Sequence, residues 1–303
     1  MKTFLLVLVL AVLTSFRAAA QVSVEITMDQ EQFLPSEAVP VAVKITNRSG
    51  QQLHLGAAAD WLTFSVESTD GFIVIKNAEV PVTGEFDLES SQIGIKRVNL
   101  QPYFQMGRHG RYKVIATLRI KDWSASVNSA PKTFDVVNGA KLWSQDFGVP
   151  GVTNSPPEVR KFTLEEANYL RLQLRLYVRV SDQSESQVFK VTTLGQMVSF
   201  SDPDAKVDRT SQLHVLWQAG AQVFNYALIN ANGEVVRQAV YNNAGSRPRL
   251  VVNEQGEVAV AGGTRRVKPE ELPVVPMVKA PGELPAKNML PMLKAPGELP
   301  AKY

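Results

Sequence analysis

Between Leu172 and Val180 apolar and polar residues alternate without a break. Leu172, Leu174, Leu176, Val178 and Val180 stand against Arg171, Gln173, Arg175, Tyr177 and Arg179. Successive side chains of an extended chain point to opposite faces. A strict period of two over this length therefore dictates a strand with one apolar face, whatever the helical propensity of leucine. The pattern returns downstream. Leu176-Tyr177-Val178-Arg179-Val180 is answered by Leu213-His214-Val215-Leu216-Trp217, and Val188-Phe189-Lys190-Val191 by Val223-Phe224-Asn225-Tyr226. Lys206-Val207-Asp208 leading to Leu213-His214-Val215 recurs as Val251-Val252-Asn253 leading to Val258-Ala259-Val260. Asn232-Gly233 and Gln255-Gly256 separate alternating segments as hairpin turns do. Residues 163–267 are expected to form a compact β-meander domain.

Upstream, residues 21–138 carry the same period in shorter pieces. Val22, Val24 and Ile26 alternate with Ser23, Glu25 and Thr27; Val39, Val41, Val43 and Ile45 do so after the turn at Leu34-Pro35-Ser36-Glu37. Leu53-His54-Leu55, Leu62/Phe64/Val66, Tyr112/Val114/Ala116/Leu118 and Phe134-Asp135-Val136-Val137 continue the set. Short strands broken every ~8–12 residues by turn signals predict an antiparallel sandwich. The fold class is all-β. Between the two domains, in residues 139–162, the period fails, and Asn138-Gly139, Gly148-Val149-Pro150-Gly151 and Ser155-Pro156-Pro157 predict a linker held down by Trp143 and Phe147. Thr163-x-x-Glu166 fits a capping box and predicts a short helix over Leu164–Tyr169.

The run Asp29-x-x-x-Phe33-Leu34-Pro35-Ser36-Glu37-x-Val39-x-Val41, ending at Asn47-Arg48-Ser49-Gly50, resembles the first strands of macroglobulin-type and related bacterial immunoglobulin-like domains. Gly110-Arg111-Tyr112-Lys113-Val114 is similar to the strand on which such domains place a corner tyrosine. The resemblance implies an immunoglobulin-like sandwich and no particular activity, because such sandwiches host many. The repeats of the second domain resemble β-propeller blades, where a strand pair recurs every ~40–45 residues. Only about two units are present, and a closed propeller needs at least four. Either the units complete a sheet on the first domain or on another chain, or they build a small sandwich or barrel, which is the expected form.

Composition then places the chain. Lys2 and the apolar run Phe4–Leu13 precede Ala18-Ala19-Ala20, so residues 1–20 read as a signal peptide cut between Ala20 and Gln21. The apolar run is short of the ~20 residues a membrane span requires, so no transmembrane anchor is expected in the mature chain. There are no cysteines, so an exported chain must rest on its cores without disulfides. A bacterial periplasmic, extracellular or cell-surface location is expected. The net charge of +3 is scattered, which argues against nucleic-acid binding. Residues 268–303 repeat Lys-Ala-Pro-Gly-Glu-Leu-Pro at Lys279 and Lys294. Proline at this density removes ladder donors, and a disordered or polyproline II tail is expected.

Candidate chemistry is sparse. Asp202, Asp204 and Asp208 occupy positions 1, 3 and 7 of a loop as calcium ligands do. Lys206 at position 5 and Leu213 at position 12 break that pattern, and a solvated turn is the plainer reading. The three histidines, His54, His109 and His214, have no second ligand at metal spacing. Arg171, Arg175 and Arg179 share one strand face and could meet an anionic glycan or lipid head group, although such a stripe is more often a wet sheet face. No nucleophile, phosphate-loop or dinucleotide motif stands out, and no cofactor is expected. The expectation is an exported, non-enzymatic binding or scaffold protein whose partner is an envelope protein or polysaccharide. The rivals are a glycan-active or lyase-like enzyme and a structural envelope component tethered by its tail.

Overall fold

The computed structural model describes residues 21–149, 158–170 and 173–267. The expected signal peptide with Ala20, part of the expected linker (residues 150–157), the residues Arg171 and Leu172, and the proline-rich segment 268–303 lie outside the described residues. The described chain is all β-strand apart from short 3-10 turns and loops.

The first half contains β1 (Val22–Thr27), β2 (Gln32–Phe33), β3 (Pro40–Asn47), β4 (Leu53–Leu55), β5 (Leu62–Ser68), β6 (Phe86–Leu88), β7 (Ile93–Asn99), β8 (Gly110–Ile120), β9 (Ala125–Asn128) and β10 (Lys132–Val136). One sheet runs β1-β3-β7 and the other β2-β10-β8-β5, with β9 also on β8 and a small β4–β6 pair beside them. All these pairings are antiparallel except β2 with β10. The expected inward residues of β1, β3, β5 and β8 do face inward, and one core joins both sheets. Its centre is aromatic: Tyr112 stacks on Phe134 at 5.5 Å and Phe33 meets Phe134 edge-on at 5.7 Å. Tyr112 is fully buried, and its hydroxyl donates to the Arg108 carbonyl at 2.7 Å, which satisfies the polar tip four residues upstream. Strand β7 carries the period reversed, with Ile93 and Ile95 exposed and Gly94, Lys96 and Val98 half-buried. An apolar pattern on the wet face is why core periodicity does not flag it.

The second half is a stack of layers. A four-stranded meander joins β11 (Ala140–Val149), β12 (Glu158–Tyr169), β13 (Gln173–Asp182) and β14 (Val188–Met197). Next come β15 (Asp204–Val207), β16 (Leu213–Gly220), β17 (Val223–Ile229) and β18 (Val235–Asn242) in a second antiparallel sheet. The chain then makes a separate hairpin, β19 (Arg249–Val252) with β20 (Val258–Ala261), and returns as β21 (Thr264–Arg266) to pair with β18. Phe147, Phe162, Leu164, Leu176, Val178 and Val180 of the first meander pack against Leu213, Val215, Trp217, Ala227 and Ile229 of the second. The opposite face of the second sheet, with Leu216, Phe224 and Tyr226, is covered by Leu250, Val258 and Val260 of the hairpin. Burial on both faces explains the unbroken burial from Leu213 to Gln218.

One turn design closes three hairpins of this half. Asp208, Asn230 and Asn253 each accept the backbone N–H four residues on through Oδ1, at 2.9, 2.9 and 2.7 Å. The residue three beyond each takes a positive φ: Ser211 at 61°, Gly233 at 79° and Gly256 at 78°. An Asx side chain that mimics a backbone turn makes such a hairpin self-contained. The repeats legible in the sequence are these hairpins.

Two expectations are corrected. Residues Leu164–Tyr169 are part of strand β12, not a helix. Leu164 enters the inter-sheet core, Glu165 is drawn to Arg179, and the Thr163 hydroxyl is buried with no partner among the described residues. Most of the expected linker is likewise strand: β11 and β12 pair from Ala140 with Glu166 to Val149 with Glu158. A register shift between Lys141 and Trp143 throws the alternation out of phase, which is why the period fails there. Phe147 is anchored by stacking on Phe162 at 4.0 Å.

Candidate functional site

Arg175 and Arg179 of the expected stripe stand on β13, both half-buried. Arg179 makes a bidentate pair with Glu165 on the neighbouring strand, Nε to Oε1 and the second guanidinium nitrogen to Oε2, both at 3.0 Å. Both side chains are largely buried. Arg175 lies over the Tyr169 ring at 3.5 Å and donates to Gln30 at 3.3 Å. Between them Tyr177 packs with Leu34, Ala167 and Val191, and Glu37 bridges to Val191. Burial, and then the neighbouring Glu37 charge, push the Tyr177 hydroxyl up to about 12. Burial also raises the Glu37 carboxyl, against the Leu34 N–H, Gln30 and Arg175, which favour its charged form. Arg175 therefore joins the stack to the sandwich, while Arg179 ties β13 to β12 within the stack.

A second polar chain crosses the buried outer face of the second sheet. Asp208 Oδ2 lies 3.2 Å from His214 Nε2, His214 Nδ1 lies 2.9 Å from the Tyr226 hydroxyl, and Arg237 donates to that hydroxyl at 3.3 Å. Burial opposes ionisation of Asp208, yet its carboxyl is held below the usual range by the Gln212 N–H, Thr210 and His214. Each member has a partner inside the chain, as a buried network requires. His54 sits on the sandwich surface between Asp87 at 2.6 Å and Glu85 at 2.5 Å. Those two contacts, Asp87 first, raise its pKa. His109 borders a surface hollow beside Asp70 and Arg111.

A cleft of about 640 Å³ lies between the second sheet and the hairpin. Leu216, Phe224 and Pro248 give it an apolar floor; Asp202, Asp204, Gln218, Arg247 and Arg249 line it. Some of these groups have structural work. Asp204 Oδ2 accepts the Leu250 N–H at 2.8 Å and so holds the hairpin. Arg247 lies 5.4 Å from the Phe224 ring and donates to Ser201 at 2.8 Å. Asp202 and Arg249 are exposed, with no partner among the described residues. At Gly262 φ is +78°, and a Cβ would come within 2.7 Å of the Arg247 carbonyl. Glycine there lets the rim close tightly.

Of the three aspartates, two reach this cleft, while Asp208 belongs to the hairpin turn and His214. Among the described residues no group of three or more His, Cys, Asp or Glu could hold a metal ion. Arg247 and Arg249 are cleft residues that sequence reasoning missed. Their signal was weak: two arginines around a proline at the start of a repeat. Among the described residues no helix is long and apolar enough to cross a membrane. No family model matches this chain, and no curated protein matches it.

Proposed function

We propose that this is an exported binding and scaffold protein of the bacterial envelope or exterior, and that the cleft beside the terminal hairpin takes a polysaccharide. The observation that carries this reading is the pair Asp202 and Arg249, uncommitted to internal partners, beside Gln218 and above the floor of Leu216 and Pro248. A sugar ring presents hydroxyls that donate to a carboxylate and accept from a guanidinium, and a C–H face that rests on apolar side chains. A binding role is favoured over catalysis because the acid–base groups Asp208, His214 and Tyr226 are bonded to one another and do not line the cleft. The macroglobulin-type likeness of residues 21–138 fits a stem that presents the stack.

The test is retention of the purified mature protein on insoluble cell-wall glycan. Wild type is expected to be retained, and Asp202→Ala with Arg249→Ala to lose at least about tenfold, roughly 1.4 kcal/mol. Equal retention of both proteins would remove the cleft from the binding surface. Release of soluble reducing ends by wild type would favour the enzymatic rival.

A second reading, a protein partner on the sandwich, draws on another observation. A groove of about 570 Å³ is lined by Ile73, Ile75, Phe104 and Met106 with Gln101 and Gln105. Ile73 is 89% exposed, an uncommon state for an isoleucine beside an apolar groove.

A further inference from the structure

Strand β7 turns its apolar residues away from the core, and it does so at a sheet edge. Sheet order places it outside β3 with no strand beyond it among the described residues. Ile93 and Ile95 are 54% and 52% exposed. Backbone bonds fix which groups face that edge. Asn47 donates to the Gln92 carbonyl at 3.1 Å and Leu100 to the Val39 carbonyl at 3.0 Å. The register pairs Gly94 with Ile45, Lys96 with Val43 and Val98 with Val41. Hydrogen-bonded and non-bonded pairs alternate in an antiparallel ladder, so the even-numbered residues of β7 bond to β3. The N–H and C=O groups of Ile93, Ile95 and Arg97 then point outward, and no backbone partner meets them among the described residues. An apolar edge of this length is a template for another strand.

We propose that the occupant is β7 of a second copy of this chain, paired antiparallel about a two-fold axis through Ile95. The choice follows from charge and register. In that alignment Ile95 meets Ile95 of the second copy, Ile93 meets Arg97, and Gly94 meets Lys96. No like charges face each other, and every outward backbone group of one strand meets an outward group of the other. Moving the axis to Lys96 or Arg97 sets two cations directly opposite, which destabilises a sheet. Moving it to Gly94 shortens the paired segment. On the inward side the Phe86 ring packs over Gly94, and the Lys96 ammonium bonds to the Gly84 carbonyl at 3.2 Å and lies over Phe86, so both inward positions are already served within each copy. Across β3, the Lys44 that faces Ile95 is paired with Glu25 at 3.7 Å. The pairing doubles the three-stranded sheet into one that runs through both copies and is independent of the cleft.

The absence of native cysteine permits a register-specific test. Directly opposed, hydrogen-bonded residues have Cα atoms about 5.5 Å apart, within disulfide reach. Under oxidation, Ile95→Cys is expected to give a covalent dimer, while Ile93→Cys, opposite Arg97 of the second copy, stays monomeric on a non-reducing gel. Sedimentation of the wild-type protein should show a concentration-dependent dimer, and Ile95→Lys should weaken it at least about tenfold by opposing two ammonium groups. Residue 95 is exposed, and unchanged circular dichroism verifies that each variant folds. A wild type that remains monomeric up to millimolar concentration overturns the proposal. So does cross-linking of Ile93→Cys as fast as Ile95→Cys, or a dimer indifferent to Ile95→Lys.

Discussion

The sandwich and the stack are both built from antiparallel strands, yet they use the period of two differently. In the sandwich each sheet has one dry and one wet face, and β1 reads buried-exposed without exception. In the stack the second sheet lies between two apolar layers, and all of Leu213–Gln218 is buried. The alternation there separates two cores: Leu213, Val215 and Trp217 face the first meander, while His214 and Leu216 face the hairpin. A central layer tolerates a polar residue only inside a closed network, and His214 satisfies that rule.

Trp217 supplies the harshest test of this contrast. It is almost fully buried, and its indole N–H donates to the Gln196 carbonyl at 2.9 Å. Trp217→Ala should cost about 3–5 kcal/mol in denaturant unfolding. A smaller loss would show that the two meanders of the stack do not share a core. Neighbouring faces can then be compared. Leu216→Ala, on the hairpin side, should cost about 2–4 kcal/mol, while Glu25→Ala, on the wet face of β1, should stay within about 0.5 kcal/mol. If Leu216→Ala is as mild as Glu25→Ala, the hairpin does not cover its face in solution.

The ion pair between β12 and β13 inside the stack is the next target. Glu165→Ala leaves the Arg179 guanidinium without its bidentate partner in a largely buried place, and should cost about 2 kcal/mol in chemical denaturation. A neutral result would show that β12 and β13 hold together without this pair.

The smallest effect belongs to the sandwich surface. The folded-state pKa of His54 is raised by Asp87 and Glu85, so its contribution is present below the unfolded value of about 6.5 and is lost as pH rises through the folded value. The melting temperature of His54→Gln should therefore fall below that of wild type at pH 5 and meet it by pH 9. A constant gap would rule out the ion cluster as its source.

The same contrast explains how much was legible beforehand. One-sided strands such as β1, β3, β5 and β8 declare themselves, since each inward position is apolar and each outward one polar. The repeated hairpins were visible because Asp208 and Asn253 hold equivalent turns. Strand β11 was hidden by its shifted register, β12 by the chance capping-box pattern of Thr163 and Glu166, and β7 by its reversed faces. The site was less legible still. Asp202 and Asp204 were noticed as a loop pattern, but their cleft depends on Arg247 and Arg249, more than forty residues away where β19 begins. Nothing in the local sequence announces that a later hairpin folds back over them.

The parallel pair of β2 and β10 has a kinetic consequence. It sets Gln32–Phe33 beside Asp135–Val136, so one edge of the sandwich closes only when the two ends of that half meet. The meander hairpins of the stack join neighbours through their own Asx turns. Sequence-local contacts form quickly and distant ones slowly. The stack is thus expected to acquire structure ahead of the sandwich during refolding. Tryptophan fluorescence should report this order, with Trp217 buried in an early phase and Trp61 in a later one.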